Sequence, residues 1–401
     1  MTPIPVRQHS ASLVEALAAA ARGAPESGIV EIMNYGRERQ GLIPLWAGEG
    51  DLPTPRFIVD AATRSLAAGE TFYTWQRGIP ALRQALADYH ARLYGRPFSP
   101  DQFFITGSGM QAIQLALAMT TIAGDEIIIP SPSWPNAAGA ARVLGVSPVY
   151  LPMSFGAQGW IFDVDQLART VGPRSRAVFL VSPSNPTGWT ATQEDLNALL
   201  SCTRRYGLWV IADETYARFW YGTGERAPSF LDVMDAEDRI VFVNTFSKNW
   251  AMTGWRIGWL MAHPSLGQVV ENLIQYSTSG VATFMQRASV AAIERGEPFI
   301  AHQIARARRG RDIVVSGLTA IGRCRFAIPD GAFYLFFAVE GESDTRRLAR
   351  RLVDEAAVGV APGAAFGPGG EGFLRLCFAR NGEQLERAVA AMANILSRRG
   401  S

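Results

Sequence analysis

Lys248 is the only lysine of this 401-residue chain, since the other 37 of its 38 Lys and Arg residues are arginine. An amine can lose its proton and form a Schiff base with a carbonyl compound, whereas a guanidinium group stays protonated in proteins. Position 248 therefore permits a covalent reaction that no arginine could perform. The other interpretation is a solvated surface lysine that survives a general preference for arginine, and the residue alone does not decide between them.

Four further residues of chemical interest follow apolar runs in the same part of the sequence. Ser108, Trp134, Asn185 and Asp213 each stand shortly after such a run, as Lys248 does. In open α/β sheets, ligands bind in the crevice beyond the carboxyl ends of the strands. If the runs are parallel strands, these five side chains meet at one edge of one sheet.

The elements that would position these residues are short apolar runs separated by helical patterns. Continuous Val, Ile and Leu runs of this length indicate strands buried on both faces of a mainly parallel sheet. The clearest runs are residues 102–106, 125–132, 176–188, 208–216 and 239–248. After about Val290 the pattern changes to a charged helix followed by "CRFAIPDGAFYLFFAV", which indicates a smaller α+β domain with antiparallel strands.

The composition is that of a globular protein, with 48% hydrophobic and 18% charged residues. A formal net charge of +2 does not provide the basic face of a nucleic-acid-binding protein, so no nucleic-acid partner is expected. The densest basic run, "ARARRGR" at residues 305–311, is interpreted as the solvated face of a helix. No uninterrupted apolar stretch approaches the ~20 residues that span a bilayer, so no membrane segment is expected.

The cysteines and the N-terminus bear on the cellular compartment. Cys202, Cys324 and Cys377 are odd in number and widely spaced, which is typical of reduced thiols in a cytoplasmic protein. Neither they nor the four histidines have the spacing of metal ligands, so no metal site is expected. Residues 1–23 contain Glu15 within an alanine-rich apolar stretch, which favours a helix over a signal peptide.

Five motifs occur in order along the chain: "SNPTG", "ADETYARFWY", "SKNWAMTGWRIGW", "PGAAFG" and "LRLCFA". Together with the single lysine they resemble the class I/II aminotransferases, which are fold-type-I enzymes dependent on pyridoxal 5'-phosphate (PLP), of the aspartate aminotransferase superfamily. The resemblance spans roughly residues 43–396. It implies an α/β, PLP-dependent transferase-like fold. A large domain, residues 53–290, would contain a mostly parallel seven-stranded sheet, and residues 1–52 and 291–401 would form a smaller α+β domain.

The resemblance assigns the reactive groups of the cofactor to residues near the strand ends. Lys248 would bind the aldehyde and, once freed, move the substrate's proton, while Asp213 would keep the pyridine nitrogen protonated. Tyr216 and Asn185 would both contact the phenolic oxygen. Lys248, Asp213 and Tyr216 are thus the expected catalytic residues. Without the resemblance, Asp213 would be interpreted as a cap for the segment that follows its strand. Tyr216 and Asn185 would be interpreted as turn or packing residues.

The phosphate group is expected where "TGSGMQ", residues 106–111, joins a strand to a helix, since small residues let the backbone approach an anion. The turn alone is weak evidence, because glycine often serves a steric purpose there. Tyr73 would reach the phosphate of a neighbouring subunit, which implies a homodimer with shared active sites. By resemblance, the residues around the phosphate and the lysine are Ser108, Gly109, Met110, Thr245, Ser247, Arg256 and Tyr73.

The resemblance also places the substrate. Arg375 would bind its α-carboxylate through a bidentate fork, and Gly48 would line its pocket. Trp134 would stack on the pyridine ring and, with Asn185, contact the substrate. The structural alternatives are an ion pair for Arg375 and a core position for Trp134.

Departures from the family pattern bear on the substrate's side chain. Met110 stands where some aspartate-specific relatives have a lysine, which disfavours an acidic side chain. Arg77 in "TWQRG" could supply another cation, so acidic substrates are not excluded. The aromatic residues Trp75, Phe366 and Tyr334 are compatible with an apolar or aromatic side chain.

The predicted function is PLP-dependent transfer of an amino group between an L-amino acid, neutral or aromatic, and a 2-oxo acid. PLP-dependent lyases, decarboxylases and cyclopropane-forming synthases are the first alternative, since they would share Lys248, Asp213 and Arg375. A non-catalytic PLP-binding effector domain joined to a DNA-binding winged helix is a remote second alternative. Such regulators have about a hundred further N-terminal residues, and a match that begins near Ile43 leaves no room for them. They are also expected to have a basic face, which the net charge of this chain does not provide.

Overall fold

The computed structural model describes residues 12–398, so that residues 1–11 and 399–401 of the predicted small domain lie outside the described residues. The prediction of a helix over residues 1–23 is largely wrong for residues 12–23, the part that the structure describes. Residues 13–17 form turns, and helix α1 (Ala19–Arg22) is a single turn with no buried side chain. Helices shorter than about 12 residues are marginal in water without tertiary packing, which explains why α1 extends no further.

The bounds of the other elements are as follows. The helices are α2 (Gly28–Gly36), α3 (Arg56–Ala67), α4 (Pro80–Tyr94), α5 (Gly109–Thr120), α6 (Asn136–Val143), α7 (Val164–Thr170), α8 (Gln193–Tyr206), α9 (Gly267–Gln275), α10 (Thr283–Arg295), α11 (Glu297–Ile321), α12 (Thr345–Ala356) and α13 (Gly382–Leu396). The strands are β1 (Ile43–Pro44), β2 (Phe103–Thr106), β3 (Glu126–Ser131), β4 (Ser147–Pro152), β5 (Ser154–Gly156), β6 (Gly159–Ile161), β7 (Ser175–Val181), β8 (Trp209–Asp213), β9 (Ile240–Thr245), β10 (Gly258–Met261), β11 (Cys324–Phe326), β12 (Tyr334–Val339), β13 (Val358–Gly359), β14 (Ala361–Pro362) and β15 (Phe373–Cys377). Across residues 12–398, no helix combines the length and the apolarity that crossing a membrane requires.

The largest sheet has seven strands in the order β2-β10-β9-β8-β7-β3-β4. From β9 to β4 each neighbouring pair is parallel, whereas β10 is antiparallel to both of its neighbours. The predicted mostly parallel seven-stranded sheet is therefore confirmed. Each predicted apolar run overlaps one strand of this sheet, and the strands are buried because helices such as α5 pack against them.

The parallel strands bring distant parts of the sequence to one edge. Asp213, the last residue of β8, lies opposite Val181 at the end of β7 and Val243 near the end of β9. Asn185 and Lys248 follow the same two neighbouring strands within four residues. The carboxyl edge of the sheet therefore gathers the polar residues that the sequence placed after apolar runs.

A second sheet of four antiparallel strands has the order β11-β12-β15-β14, which confirms the predicted antiparallel α+β region. The 25-residue helix α11 precedes it and packs against α13. Strand β1 pairs in parallel with β13, with Ile43 opposite Val358. This pairing joins the segment before residue 52 to the C-terminal part of the chain.

The basic run at residues 305–311 lies in α11, and its interpretation as a merely solvated face is wrong for two of its arginines. Arg306 donates hydrogen bonds of 2.8 and 3.2 Å to both carboxylate oxygens of Asp51. Arg311 is only 17% exposed, and its guanidinium carbon lies 4.7 Å from the ring centroid of Tyr221. Since Asp51 ends the segment "WAGEGD", the pair with Arg306 fixes that segment to α11.

Candidate active site

A cavity of about 400 Å³ lies at the carboxyl ends of β7, β8 and β9, and residues of the four-stranded sheet close it. The lining runs from Ile29 in α2 to Arg375 in β15. Most of the predicted site residues line this one cavity: Gly48, Gly109, Met110, Trp134, Asn185, Asp213, Tyr216, Thr245, Ser247, Lys248, Arg256 and Arg375. Motifs separated by up to 327 positions in sequence thus converge, as the sequence analysis required.

Lys248 lies three residues beyond β9, in a turn anchored by the buried rings of Phe246 and Trp250. Its Nζ atom donates a hydrogen bond of 2.6 Å to the backbone carbonyl of Gly48. Burial lowers the pKa of Lys248 from its usual 10.5 to about 8, despite the opposing attraction of nearby acidic groups. More of this amine is therefore deprotonated near neutral pH than in water, which favours attack on a carbonyl carbon.

Asp213 is buried at the end of β8. Its Oδ1 atom accepts a hydrogen bond of 3.1 Å from the backbone N–H of Thr215. Burial raises the pKa of the Asp213 carboxyl, while the hydrogen bonds from Thr215 and the charge of Lys248 act in the opposite direction. Because its anionic form is poorly solvated, this carboxylate suits a cationic N–H partner such as a protonated ring nitrogen.

The N-terminus of α5 lies beside the cavity, and a helix N-terminus of this kind suits an anion. Ser108 caps the helix by accepting a hydrogen bond of 3.1 Å from a first-turn N–H, and Gly109 and Met110 line the cavity with N–H groups that lack helical partners. Strand β10 passes close behind, since a Cβ atom at Gly258 would lie only 2.9 Å from the Gly109 nitrogen. Further donors in the lining are Thr245, Ser247 and Arg256.

Arg375 is only 2% exposed, yet among residues 12–398 no carboxylate pairs with it. Its Nη1 atom donates to Oδ1 of Asn185 at 3.0 Å, and its Nη2 atom donates to the backbone carbonyl of Trp46. Its Nε atom has no hydrogen-bond partner among residues 12–398. A buried cation without a counter-ion is unfavourable by itself, so this position fits a carboxylate that a ligand supplies.

Two tyrosines meet at the wall of the cavity. The hydroxyl oxygens of Tyr216 and Tyr334 are 2.8 Å apart, and burial raises the pKa of both phenols. A Cβ atom at Gly48 would lie 2.7 Å from the Tyr334 hydroxyl, so a larger residue at position 48 would force one of the two groups to move. Gly48 and this tyrosine are therefore packed directly against each other.

The chain matches the family described as aminotransferase class I and II over residues 40–392. It is 34% identical to the aspartate aminotransferase of Thermotoga maritima over 367 residues, which are 90% of this chain and 93% of that protein. It is 32% identical to the aromatic-amino-acid aminotransferase 2 of Thermococcus litoralis, with coverage of 92% and 95%. A solved structure of the aspartate aminotransferase from Thermotoga maritima superposes with a TM-score of 0.88 at 31% identity, covering 95% of this chain and 100% of that chain.

The chain belongs to the class I and II aminotransferases. Aminotransferases of this family depend on PLP, and the cavity of this one fits that cofactor. The amine of Lys248 suits its aldehyde, the carboxylate of Asp213 its ring nitrogen, and the N-terminus of α5 its phosphate. When bound, PLP supplies a ring that withdraws electrons from the substrate's α-carbon.

Several lining residues of this aminotransferase were missed by the sequence analysis. Ile29 and Met33 lie four positions apart on α2 and contribute apolar surface to the cavity. Their helical spacing was visible in the sequence, but nothing local indicated that this helix face meets the site. Glu49 and Thr253 also line the cavity and are joined by a hydrogen bond of 2.9 Å.

Other predicted residues of this aminotransferase lie outside its cavity. Tyr73 is 96% exposed, and Trp75 is 64% exposed. Arg77 donates to the carboxylate of Glu271 at 2.6 Å, so its charge is already paired. Phe366 is buried with its ring centroid 4.8 Å from the guanidinium carbon of Arg375, where it supports that side chain.

Proposed function

We propose that this aminotransferase transfers the amino group of a neutral or aromatic L-amino acid to a 2-oxo acid. The observation behind this substrate class is the set of cations in the cavity. Among the described lining residues these are Lys248, Arg256 and Arg375. Lys248 and Arg256 serve the cofactor in this proposal and Arg375 serves the α-carboxylate, which leaves no cation for an acidic side chain.

The apolar part of the lining supports the same choice. Met110 and Ile113 of α5, with the half-buried Trp134, present hydrocarbon and aromatic surface. An acidic side chain placed against them would lose its hydration without a compensating partner. Relatives of the chain are named for aspartate, aromatic amino acids and prephenate, so family membership leaves the substrate open.

For the individual residues we propose the roles that the resemblance to the family implies. Lys248 Nζ takes the proton from the substrate's α-carbon, and Asp213 holds the proton on the ring nitrogen. Tyr216 and Asn185 bind the phenolic oxygen, and Trp134 stacks on the ring. Phosphate binding is assigned to Ser108, Gly109, Met110, Thr245, Ser247, Arg256 and, from a second subunit, Tyr73.

Arg375 binds the α-carboxylate common to both substrates in this proposal. Its guanidinium group is already oriented by Asn185 and by the Trp46 carbonyl, which reduces the entropy lost when the substrate binds. Gly48 lines the same cavity, in close contact with the Tyr334 hydroxyl. A 2-oxo acid and an amino acid differ at the α-carbon and not at this carboxylate, so one arginine serves both half-reactions.

We also propose a homodimer in which the sheet-and-helix region 53–290 forms the large domain and residues 1–52 and 291–401 form the small one. Four strongly exposed aromatic residues, which a second copy would cover, support the dimer: Phe72 (84%), Tyr73 (96%), Trp75 (64%) and Tyr276 (89%). Single exposed apolar residues are common, but a cluster of large rings marks an interface. The free thiols of Cys202, Cys324 and Cys377 support a cytoplasmic location.

The test is a panel of amino donors with pyruvate or 2-oxoglutarate as acceptor, followed by the absorbance of the cofactor. Neutral and aromatic donors should convert the cofactor to its amine form and yield the matching 2-oxo acid. A preference for aspartate would overturn the substrate class. Release of ammonia, CO₂ or a thiol without the amine form of the cofactor would show a lyase or decarboxylase instead.

A further inference from the structure

The hydrogen bond between the hydroxyls of Tyr216 and Tyr334 can run in either direction, since each phenol has one proton. Tyr334 is 0% exposed, and in the described part of the chain the Tyr216 hydroxyl is its one hydrogen-bond partner. If Tyr216 were the donor, the Tyr334 proton would be buried without an acceptor. Because an unpaired buried donor costs more than one hydrogen bond contributes, the favoured donor is Tyr334.

Among the described residues, the Tyr334 hydroxyl has no protein acceptor other than the Tyr216 oxygen. Gly48 packs so tightly that a Cβ atom there would lie 2.7 Å from the hydroxyl, which leaves little room for water on that side. The charged and titratable groups that face the two tyrosines are Asp213, Lys248, Arg375 and Cys377. None of them forms a hydrogen bond with either hydroxyl.

The ring of Tyr334 has a second contact. The guanidinium carbon of Arg375 lies 4.6 Å from its centroid, a distance at which a cation is attracted to an aromatic face. Tyr334 and Arg375 are held in this relation by the pairing of β12 with β15, in which Tyr334 lies opposite Cys377. One side chain therefore touches both the proposed carboxylate-binding residue and the proposed partner of the phenolic oxygen.

We propose that Tyr334 is a positioning residue whose hydroxyl and ring have separate roles. Its hydroxyl donates to Tyr216 and so leaves the Tyr216 proton free to point into the cavity, toward the phenolic oxygen of the cofactor. Its ring holds the guanidinium group of Arg375 in place for the substrate's carboxylate. The proposal rests on the proposed function, which assigns these roles to Tyr216 and Arg375.

Two substitutions separate the hydroxyl from the ring. Tyr334→Phe removes the hydroxyl and keeps the ring, whereas Tyr334→Leu removes both. In the holoenzyme, loss of a hydrogen bond to the phenolic oxygen raises the pH midpoint of the cofactor's visible absorption band. Tyr216→Phe, the reference variant, should raise it by about 1–2 pH units, because a hydrogen bond to a charged group is lost.

Tyr334→Phe should raise the same midpoint by about 0.1–0.7 pH units, because the Tyr216 bond loses its cooperative strengthening of about 10–30%. Its KM values should stay within about twofold of the wild type, since the ring remains. Tyr334→Leu should in addition raise the KM of every amino acid and 2-oxo acid by about 2- to 30-fold, as the cation–π contact is lost. A lowered or unchanged midpoint in Tyr334→Phe would overturn the proposed donor direction, because a freed Tyr216 proton would strengthen the bond.

A measurement without cofactor tests the donor direction of the tyrosine pair separately from the proposed function. In the apo-protein, Tyr216→Phe should lower the urea midpoint of unfolding more than Tyr334→Phe does. The first change leaves the proton of Tyr334, which is 0% exposed, without a protein acceptor, while the second leaves the oxygen of Tyr216, which is 5% exposed. Equal or reversed effects would overturn the proposal. A protein that binds no PLP would instead contradict the proposed function and leave this comparison intact.

Discussion

Replacing Arg375 by alanine tests the proposed binding of the α-carboxylate most directly. The substitution removes a guanidinium group that is almost completely buried and bonded to Asn185 and to the carbonyl of Trp46. In the wild type the substrate's carboxylate would be the missing counter-ion of this group. In Arg375→Ala the same carboxylate would enter the cavity unpaired.

The expected loss follows from the number of charge-assisted bonds. One hydrogen bond to a charged group contributes about 1.5–3 kcal/mol, and a fork that binds both carboxylate oxygens contributes up to twice that amount. Arg375→Ala should therefore lower kcat/KM by about 10²- to 10⁴-fold for every amino acid and 2-oxo acid. Arg375→Lys retains the charge but not the planar fork, so it should lose only about 10- to 10²-fold.

The assay is steady-state kcat/KM for a neutral, an aromatic and an acidic donor, together with a primary amine that has no carboxylate. The primary amine should be affected far less by Arg375→Ala than the amino acids are. Arg77→Ala is the matched control, because Arg77 pairs with Glu271 outside the cavity lining and its removal should change kcat/KM less than about threefold. The reasoning is refuted if Arg375→Ala, with its cofactor absorption intact, retains kcat/KM within threefold of the wild type for all amino acids.

Three further predictions concern the same cavity. Lys248→Arg keeps a cation but has no amine that can form a Schiff base, so turnover should vanish. Mass spectrometry should find no cofactor on residue 248 after borohydride treatment. Residual transamination would contradict the covalent role. Gly48→Ala places a Cβ atom 2.7 Å from the Tyr334 hydroxyl and should destabilise the protein by about 1–3 kcal/mol in urea unfolding. The loss should be smaller in a Tyr334→Phe background, and an equal loss in both backgrounds would show that this clash is not the cause. Because burial lowers the pKa of Lys248 from 10.5 to about 8, the unfolded chain binds more protons between these values and the apo-protein gains stability as the pH rises through them. Below pH 8, the free energy of unfolding of Lys248→Met should therefore exceed that of the apo wild type by at most about 3 kcal/mol, and by less where water reaches the amine. This difference should shrink towards pH 10.5. A difference that does not change with pH would refute the prediction.

The strands of the central sheet could be predicted because burial on both faces requires a continuous apolar run, and such a run is visible locally. This holds for β3, β7, β8 and β9. The same prediction fails for β10, which has only four residues and follows the turn that contains Lys248. Its antiparallel direction results from pairing with both β2 and β9, and no local pattern contains that information.

The helix predicted at the N-terminus and the basic run in α11 show a second limit. Both were interpreted from the residue types alone, without their packing partners. The N-terminal stretch buries nothing and forms only one helical turn in its described part. Arg306 lies 255 positions from Asp51, so no sequence pattern relates the two residues.

The sequence by itself determined the residue types available for chemistry: one amine at Lys248, a carboxylate at Asp213 after an apolar run, and a guanidinium at Arg375. Their convergence could be expected because parallel strands end at one edge of a sheet and because the motifs occur in the order of a known family. Only the tertiary structure decided which other groups complete the site. The hydrogen bond between Tyr216 and Tyr334 joins residues 118 positions apart, and α2 closes the cavity with Ile29 and Met33. Such contacts depend on strand order, register and the packing of whole helices, because each arises where two surfaces meet and neither surface alone specifies its partner.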